Sequence, residues 1–94
     1  MAISFSAHVA VPPHVLLQRF GEESVLLNLV TETYFGLDAV GTRMWEALTK
    51  AETVDGAYRE LLDDYEVEPD RLRQDMNALL ENLLRNGLLE KRGE

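Results

Sequence analysis

The segment ESVLLNLVTETYFGLDAVGTRMW, residues 23–45, decides the fold of this chain. Two short apolar runs, residues 24–30 and 33–37, predict the two strands of a hairpin, and Asp38 then opens a helix. A hairpin whose last strand runs directly into a helix leaves that strand at the edge of its sheet. An open edge can accept a peptide as an additional strand, so peptide binding at residues 33–37 is the working hypothesis.

A further strand is predicted before this segment. Residues 14–20 are rich in apolar residues that suit a pleated sheet, and a turn at Gly21 follows them. The second turn, residues 30–33, has no Gly or Asn, which tight turns favour. The sequence therefore predicts the second hairpin but leaves its register open.

Side-chain alternation assigns the two faces of the last strand. Successive side chains of a strand point to opposite faces, so Phe35 and Leu37 share one face and Tyr34 and Gly36 share the other. We expect Phe35 and Leu37 to lie in the core.

Three helices are predicted after the strands. Asp38 and Thr53 suit the caps of the first two, because their side-chain oxygens can accept hydrogen bonds from the free amides of a first helical turn. Pro69 suits the first position of the third helix, which Asn86 and Gly87 end. The second helix should stop near Tyr65. The expected apolar stripes are Val40, Met44, Ala47 and Leu48 in the first helix, and Ala57, Tyr58, Leu61, Leu62 and Tyr65 in the second.

The third helix carries a wide apolar stripe that divides into two seams. One seam, which is expected to face the core, consists of Leu72, Met76, Leu79 and Leu83. The neighbouring seam consists of Arg73, Asn77, Leu80 and Leu84. If this helix lies beside the edge strand, the second seam and Tyr34 would wall a groove for an extended peptide. A plain extension of the core is the alternative for Leu84.

The order of elements predicts an α+β fold in which a three-stranded antiparallel sheet is followed by three helices. A winged helix-turn-helix has closely related parts. Residues 1–13 are expected to form an N-terminal arm, and alternation from Ile3 to Val11 before the Pro12–Pro13 pair makes an extra strand one interpretation of it. Residues 14–90 would form the domain, and residues 91–94 a frayed tail.

Composition restricts the classes of function. The 94 residues fit one domain, and 17 acidic against 9 basic side chains give a formal net charge of -8. This charge repels phosphate backbones and anionic membranes and favours basic or neutral partners. The absence of cysteine excludes disulfides, thiolate metal sites and cysteine nucleophiles. With no secretion signal and no apolar run long enough for a membrane span, the cytoplasm is the expected compartment.

The sequence offers no catalytic constellation, and no metal or cofactor is expected. His8 and His14 have no acidic residue spaced to complete a metal triad, and the acidic run within residues 63–70 lacks the loop glycine of an EF-hand. For DNA binding, the best case is a recognition helix with Arg71, Arg73 and Arg85. Nearby acidic residues offset those charges, so nucleic acid is not an expected partner.

Several motifs, in this order and spacing, resemble the PqqD family. They are ESVLLNL at residues 23–29, YFGLD at 34–38, VGTRMW at 40–45, and Asp75 followed by Leu79, Leu80, Leu83, Gly87 and Leu88. The resemblance covers about residues 15–89, and residues 40–45 most resemble stand-alone members linked to lasso-type peptide modification. Many relatives have a Gly in the turn before the third strand, where this chain has Val-Thr-Glu-Thr at residues 30–33. The N-terminal arm has no clear counterpart.

The resemblance implies a recognition element for ribosomally made, post-translationally modified peptides. Such domains are not enzymes: they bind the leader segment of a precursor and deliver it to a separate modifying enzyme or leader peptidase. In the family, the leader adds as a strand next to the third strand and lies against the third helix. Carried over to this chain, backbone pairing would come from Thr33, Tyr34, Phe35, Gly36 and Leu37. Side-chain contacts would come from Tyr34, Arg73, Met76, Asn77 and Leu80.

Two other functions stay open at this point. One is a general protein-interaction scaffold without a role in peptide modification, and the other is a winged-helix DNA-binding protein, against which the acidic charge argues. An open edge strand can also pair with a second copy of the chain, which makes a homodimer through residues 33–37 a further interpretation.

Overall fold

A computed structural model describes residues 7–92 of the chain. In chain order the elements are β1 (His8–Ala10), β2 (Val15–Phe20), β3 (Glu23–Asn28), β4 (Thr33–Leu37), α1 (Ala39–Lys50), α2 (Val54–Asp64), α3 (Pro69–Arg85) and β5 (Glu90–Arg92). The main sheet is antiparallel with the strand order β2-β3-β4, and β1 pairs with β5 in a second, two-stranded sheet. The predicted α+β architecture of a three-stranded antiparallel sheet followed by three helices is confirmed.

The turn between β3 and β4 is held by a side chain and not by a glycine. Asn28 Oδ1 accepts hydrogen bonds from the amides of Val30 and Thr31, over 3.0 and 3.2 Å. Glu32 then adopts a left-handed backbone with φ of 59°, a conformation that favours glycine. This turn settles the register that the sequence left open, and it pairs Asn28 with Thr33.

The helices begin at the predicted caps. Asp38 Oδ1 accepts a hydrogen bond from the Gly41 amide over 2.7 Å, and Thr53 Oγ1 accepts one from the Gly56 amide over 3.0 Å. Each cap satisfies an amide that a helix leaves without an intrahelical partner. Pro69 occupies the first turn of α3, where its missing amide costs nothing.

The C-terminal end of α3 turns the chain back onto the core. Gly87 has a left-handed φ of 70°, and the Leu88 amide donates to the Leu83 carbonyl over 2.8 Å. Leu88, which follows this turn, is buried.

The core lies between the main sheet and the three helices. Its buried apolar side chains are Val15, Leu26, Leu37, Met44, Trp45, Ala47, Leu48, Val54, Ala57, Leu61, Leu72, Met76, Leu80, Leu83, Leu88 and Leu89. Val40, predicted to belong to this core, is 47% exposed instead. Val40 lies on the same side of α1 as the buried Met44 and Ala47, but it belongs to the first turn, so its exposure follows from its place at the end of the helix. Thr42 is buried in that turn instead, and its hydroxyl lies 2.7 Å from that of Ser24.

The two ends of the described chain pair with each other. The arm forms a strand at His8–Ala10, but it pairs with β5 and not with the main sheet. Lys91 and Arg92, which were expected to fray, belong to β5, because the arm supplies a partner strand. Ala7 anchors the arm, since its carbonyl accepts a hydrogen bond from the Val54 amide over 3.1 Å. Residues 1–6 of the predicted arm and residues 93–94 of the predicted tail lie outside the described residues.

Ion pairs fasten α1 to its neighbours on the surface. Arg43 contacts Glu60, over 2.7 Å, and Asp64, both on α2. The hydrogen bond with Glu60 is the largest effect on the pKa of Arg43, which is raised above its ordinary value although burial opposes the shift. Arg19 of β2 pairs with Glu46 of α1. Because these pairs are partly exposed, each adds little to the stability of the fold.

Candidate functional site

β4 is an open edge of the main sheet. Its strand neighbour is β3, and within the described chain no strand pairs with its other side. The prediction that residues 33–37 form an edge strand is therefore confirmed. Such an edge presents unpaired backbone groups to solvent or to another chain.

The direction of the backbone hydrogen bonds shows which residues of β4 face the open side. The Leu29 amide, which directly follows β3, donates to the His14 carbonyl over 2.9 Å, so the odd-numbered residues of β3 bond toward β2. The even-numbered residues of β3 therefore bond toward β4, where the register pairs them with its odd-numbered residues. Tyr34 and Gly36 alternate with these, so their N–H and C=O groups point to the open side.

The side chains of β4 alternate between the core and the outer face, as predicted. Leu37 is buried and Phe35 is half-buried against the core. Tyr34 is 76% exposed and shares the outer face with Gly36. The side chains of a strand added beside β4 would therefore alternate between the apolar core side of the sheet and the outer side, where the Tyr34 ring is exposed.

The C-terminal end of α3 lies beside the Thr33 end of β4. Asn28 Nδ2 donates to the Asn86 carbonyl over 3.0 Å and so joins the β3–β4 turn to the end of the helix. A cavity of about 400 Å³ lies at this junction, lined by His14, Asn28, Val30, Thr31, Thr33, Arg85, Asn86 and Gly87. The open edge and the end of α3 thus border one common space, and sequence reasoning did not assign His14 or Arg85 to it.

Two of the four predicted contact residues on α3 lie in the core. Met76 and Leu80 are both 0% exposed. This confirms the place of Met76 in the core-facing seam and corrects the expectation that Leu80 walls a surface groove, and neither side chain is exposed for the predicted peptide contact. The physical reason is the rotation of the helix, which turns Leu80 inward and leaves Leu79 half-buried at the edge of the core. Leu79 and Leu80 are about 100° apart around the helix, and only Leu80 changes seam, because Arg73, Asn77 and Leu84 are not buried.

Arg73 and Asn77 lie on the surface of α3. The Arg73 guanidinium lies 5.0 Å from the ring centroid of Tyr58 on α2, within the range of a cation–π interaction. Tyr58 in turn donates its hydroxyl to the Pro69 carbonyl over 3.2 Å. Asn77 is half-buried one turn further along. Their contact with a peptide remains a prediction.

A second surface feature, which sequence reasoning missed, is an apolar hollow on the outer face of the main sheet. It has a volume of about 500 Å³ and is lined by Leu16, Gln18, Phe20, Val25, Leu27, Tyr34 and Gly36. Cross-strand pairs bring these side chains together, because residues directly opposite share a face. The signal in the sequence was that residues 25–27 are apolar on both faces of one strand, whereas a half-covered sheet normally alternates.

In the described part of the chain, few side chains that could bind a metal ion or take part in catalysis lie close together. Between residues 7 and 92 there is no group of three or more His, Asp or Glu side chains placed to hold a metal ion. Over the same part of the chain, no helix has both the length and the apolar character that crossing a membrane requires. The site is thus defined by backbone groups and apolar side chains.

The fold and this open edge define a small α+β domain suited to strand addition, and sequence comparison assigns the family. Residues 23–89 match the model of the family described as coenzyme PQQ synthesis protein D (PqqD). The chain belongs to the PqqD family. Among curated proteins, no sequence matches this chain.

Two solved structures share this fold. One is described as TbiB1 in complex with the TbiA(beta) leader peptide; it is 32% identical, with a TM-score of 0.81, over 90% of this chain and 99% of that one. The other is described as lasso peptide synthetase B1 complexed with the leader peptide. It is 23% identical, with a TM-score of 0.71, and the match covers 88% of this chain and 98% of that one. At that lower identity, the second comparison supports the fold alone.

Proposed function

We propose that this chain is a non-catalytic recognition protein that binds the leader segment of a ribosomally made precursor peptide. The leader adds as a strand to β4, along residues 33–37, and is presented to a separate modifying enzyme or leader peptidase. The single observation that carries the proposal is the open backbone of Tyr34 and Gly36, whose N–H and C=O groups point away from β3. These groups supply two donors and two acceptors for a new strand.

The surroundings of the edge support the same function. Backbone pairing gives affinity with little dependence on sequence, so specificity requires side chains on both sides of the added strand. Tyr34 and the outer hollow lie on one side, and the cavity at Thr33, Arg85 and Asn86 lies at one end. The similar structure at 32% identity is a leader-peptide complex, which supports a peptide as the ligand here.

A role in delivery, without a catalytic step, agrees with the residues present. The chain has no cysteine, and its described part holds no cluster of ligating side chains. We infer that the chemistry belongs to a partner enzyme. The net charge of -8 favours a basic surface on that enzyme and opposes close approach of a second copy of this chain. These interactions would take place in the cytoplasm.

No observation favours the DNA-binding alternative. On α3, which would be the recognition helix of a winged fold, Arg71 pairs with Asp75 over 3.5 Å and Arg73 lies over Tyr58. The overall negative charge removes the phosphate attraction on which DNA affinity depends.

Fluorescence anisotropy tests the proposal. The probes are two labelled peptides, the leader segment of a precursor encoded nearby and the TbiA(beta) leader, and the control is a labelled DNA duplex. We expect saturable binding of a leader and none of the duplex at physiological salt. Binding of the duplex without binding of any leader would contradict the proposed function.

A further inference from the structure

Arg85 is a cation without a partner in a strongly acidic protein. The chain has 17 acidic and only 9 basic side chains, so most cations have a carboxylate within reach. Other arginines of the described chain are engaged: Arg19, Arg43, Arg59 and Arg71 pair with carboxylates, and Arg73 lies over the Tyr58 ring. Between residues 7 and 92, by contrast, no carboxylate or other acceptor binds the guanidinium of Arg85.

The C-terminal end of α3 has donors of its own and does not depend on this charge. Basic side chains often stand in the last turn of a helix, where they compensate unpaired carbonyls and the negative end of the dipole. Here the Leu83 carbonyl accepts a hydrogen bond from the Leu88 amide over 2.8 Å. The Asn86 carbonyl accepts one from Asn28 Nδ2 over 3.0 Å. The guanidinium of Arg85 is therefore available for a ligand.

Arg85 borders the cavity of about 400 Å³ at the Thr33 end of the open edge. The other polar side chains around this cavity carry no negative charge; they are His14, Asn28, Thr31, Thr33 and Asn86. His14 is half-buried, and within residues 7–92 its imidazole has no hydrogen-bond partner. Guanidinium, imidazole, hydroxyl and amide donors around one space suit an anion. Arginine suits a carboxylate in particular, because its planar fork matches the two oxygens.

Strand addition at β4 brings a peptide side chain to this cavity. Thr33 belongs to the same face of β4 as Phe35 and Leu37, which is the face that packs toward the core. The backbone groups of Thr33 point to β3, so an antiparallel peptide residue opposite it forms a pair without hydrogen bonds, in which side chains come closest. Directly opposite residues share a face, so that peptide side chain points toward the cavity and Arg85.

We propose that this cavity is a subsite for an acidic side chain, Asp or Glu, of the bound peptide, with its carboxylate on the Arg85 guanidinium. The inference rests on the proposed function and adds to it the charge of one substrate residue, the one opposite Thr33. It also fixes the register of the peptide, because backbone pairing alone permits slippage along the strand. A protein of net charge -8 repels a peptide with many acidic residues, so a single acid at this position distinguishes the correct ligand.

The test starts from a display library of random peptides selected on the full chain. We expect the selected peptides to share Asp or Glu at one position, and NMR contacts should place the Hα proton of that residue beside the Hα proton of Thr33. Exchanging the acid for its amide, Asn or Gln, should weaken binding about fivefold at low salt, as for a partly exposed charged hydrogen bond. The difference between the two peptides should shrink as salt is added, because salt screens the pair.

Arg85→Gln and Lys50→Gln form a matched pair of variants. Each removes one positive charge from the last turn of a helix, but Lys50 lies at the end of α1 and does not line the cavity. We expect Arg85→Gln to bind the selected peptide about fivefold more weakly and to lose little more with the amide peptide. Lys50→Gln should keep both the affinity and the preference for the acid. Arg85→Glu should instead prefer a peptide with Lys at that position. Thermal melts verify that each variant folds.

Three outcomes would overturn the inference, and they differ in what they leave standing. Selected peptides without a shared acidic residue, or equal effects of Arg85→Gln and Lys50→Gln, refute the subsite and leave leader binding intact. A loss in Arg85→Gln that is the same size for the acidic and the amide peptide assigns Arg85 a structural role instead. Absence of binding by the library and by both leaders refutes the proposed function together with the subsite.

Discussion

Asn28 donates from Nδ2 to the carbonyl oxygen of Asn86 over 3.0 Å, which joins the β3–β4 turn to the C-terminal end of α3. The same side chain accepts hydrogen bonds from two amides of the turn and is only 2% exposed. One buried amide therefore sets both the shape of the hairpin and its position relative to the helix. The β3–β4 turn and the C-terminal end of α3, which both border the open edge, therefore depend on the Asn28 side chain.

Replacing this residue should destabilise the protein. Asn28→Ala removes three part-buried hydrogen bonds, two from the amides of Val30 and Thr31 and one to the Asn86 carbonyl, so we expect a loss of about 1–3 kcal/mol in the free energy of unfolding, measured with urea. The matched control is Asn86→Ala, which keeps the accepting carbonyl and removes only an exposed hydrogen bond to the Asn82 carbonyl. Equal losses in the two variants would contradict the role assigned to Asn28.

The left-handed residue of the turn offers a route to higher stability. Glu32 has a φ of 59°, which a non-glycine residue adopts at a cost of about 1–2 kcal/mol, so Glu32→Gly should raise the free energy of unfolding by up to about 1 kcal/mol. Thr31→Gly is the control: Thr31 has no positive φ, and its hydroxyl lies 2.7 Å from that of Thr33. This control should lose stability. A loss in both variants would show that the turn adopts another conformation.

Proline at position 36 should separate binding from folding. The Gly36 amide faces the open side, so Gly36→Pro removes no hydrogen bond between β3 and β4 and is tolerated at an edge. We expect leader affinity to fall about tenfold, from a lost hydrogen bond and a steric clash, with little change in the urea midpoint. The control, Gly36→Ala, keeps the amide and adds only a methyl group, so it should lose clearly less affinity than Gly36→Pro. Unchanged affinity in folded Gly36→Pro would count against pairing at this edge.

Truncation on α3 distinguishes a core residue from a contact residue. Leu80 is fully buried, so Leu80→Ala should cost about 2–5 kcal/mol in unfolding free energy, while Kd for the leader, corrected for the folded fraction, stays the same. Leu84→Ala, at a half-buried position of the same helix, should cost less. A stable Leu80→Ala protein with weakened binding would return Leu80 to the contact set.

The features that sequence reasoning predicted well are those that local chemistry determines. Asp38 caps α1 because its carboxylate reaches an amide three residues away, and the faces of β4 follow from strict alternation. Short-range rules of this kind need no knowledge of the rest of the chain. They predicted both ends of the edge strand, Thr33 and Leu37, correctly.

The features that it missed depend on how distant elements meet. Leu79 and Leu80 differ by one step around α3, and the packing of the whole helix decides which of them is buried. Likewise, Val40 shares its side of α1 with the buried Met44 and Ala47, and only the placement of the first turn at the end of the core leaves it exposed. The outer hollow required the register of all three strands, and neither turn alone defines it.

Amide hydrogen exchange at β4 tests the central claim most directly. The amides of Tyr34 and Gly36 face the open side, whereas the Phe35 amide faces β3. With saturating leader peptide, we predict that exchange slows strongly at Tyr34 and Gly36 and changes little at Phe35. A leader that binds tightly and leaves exchange at Tyr34 and Gly36 as fast as in the free protein would contradict strand addition at this edge.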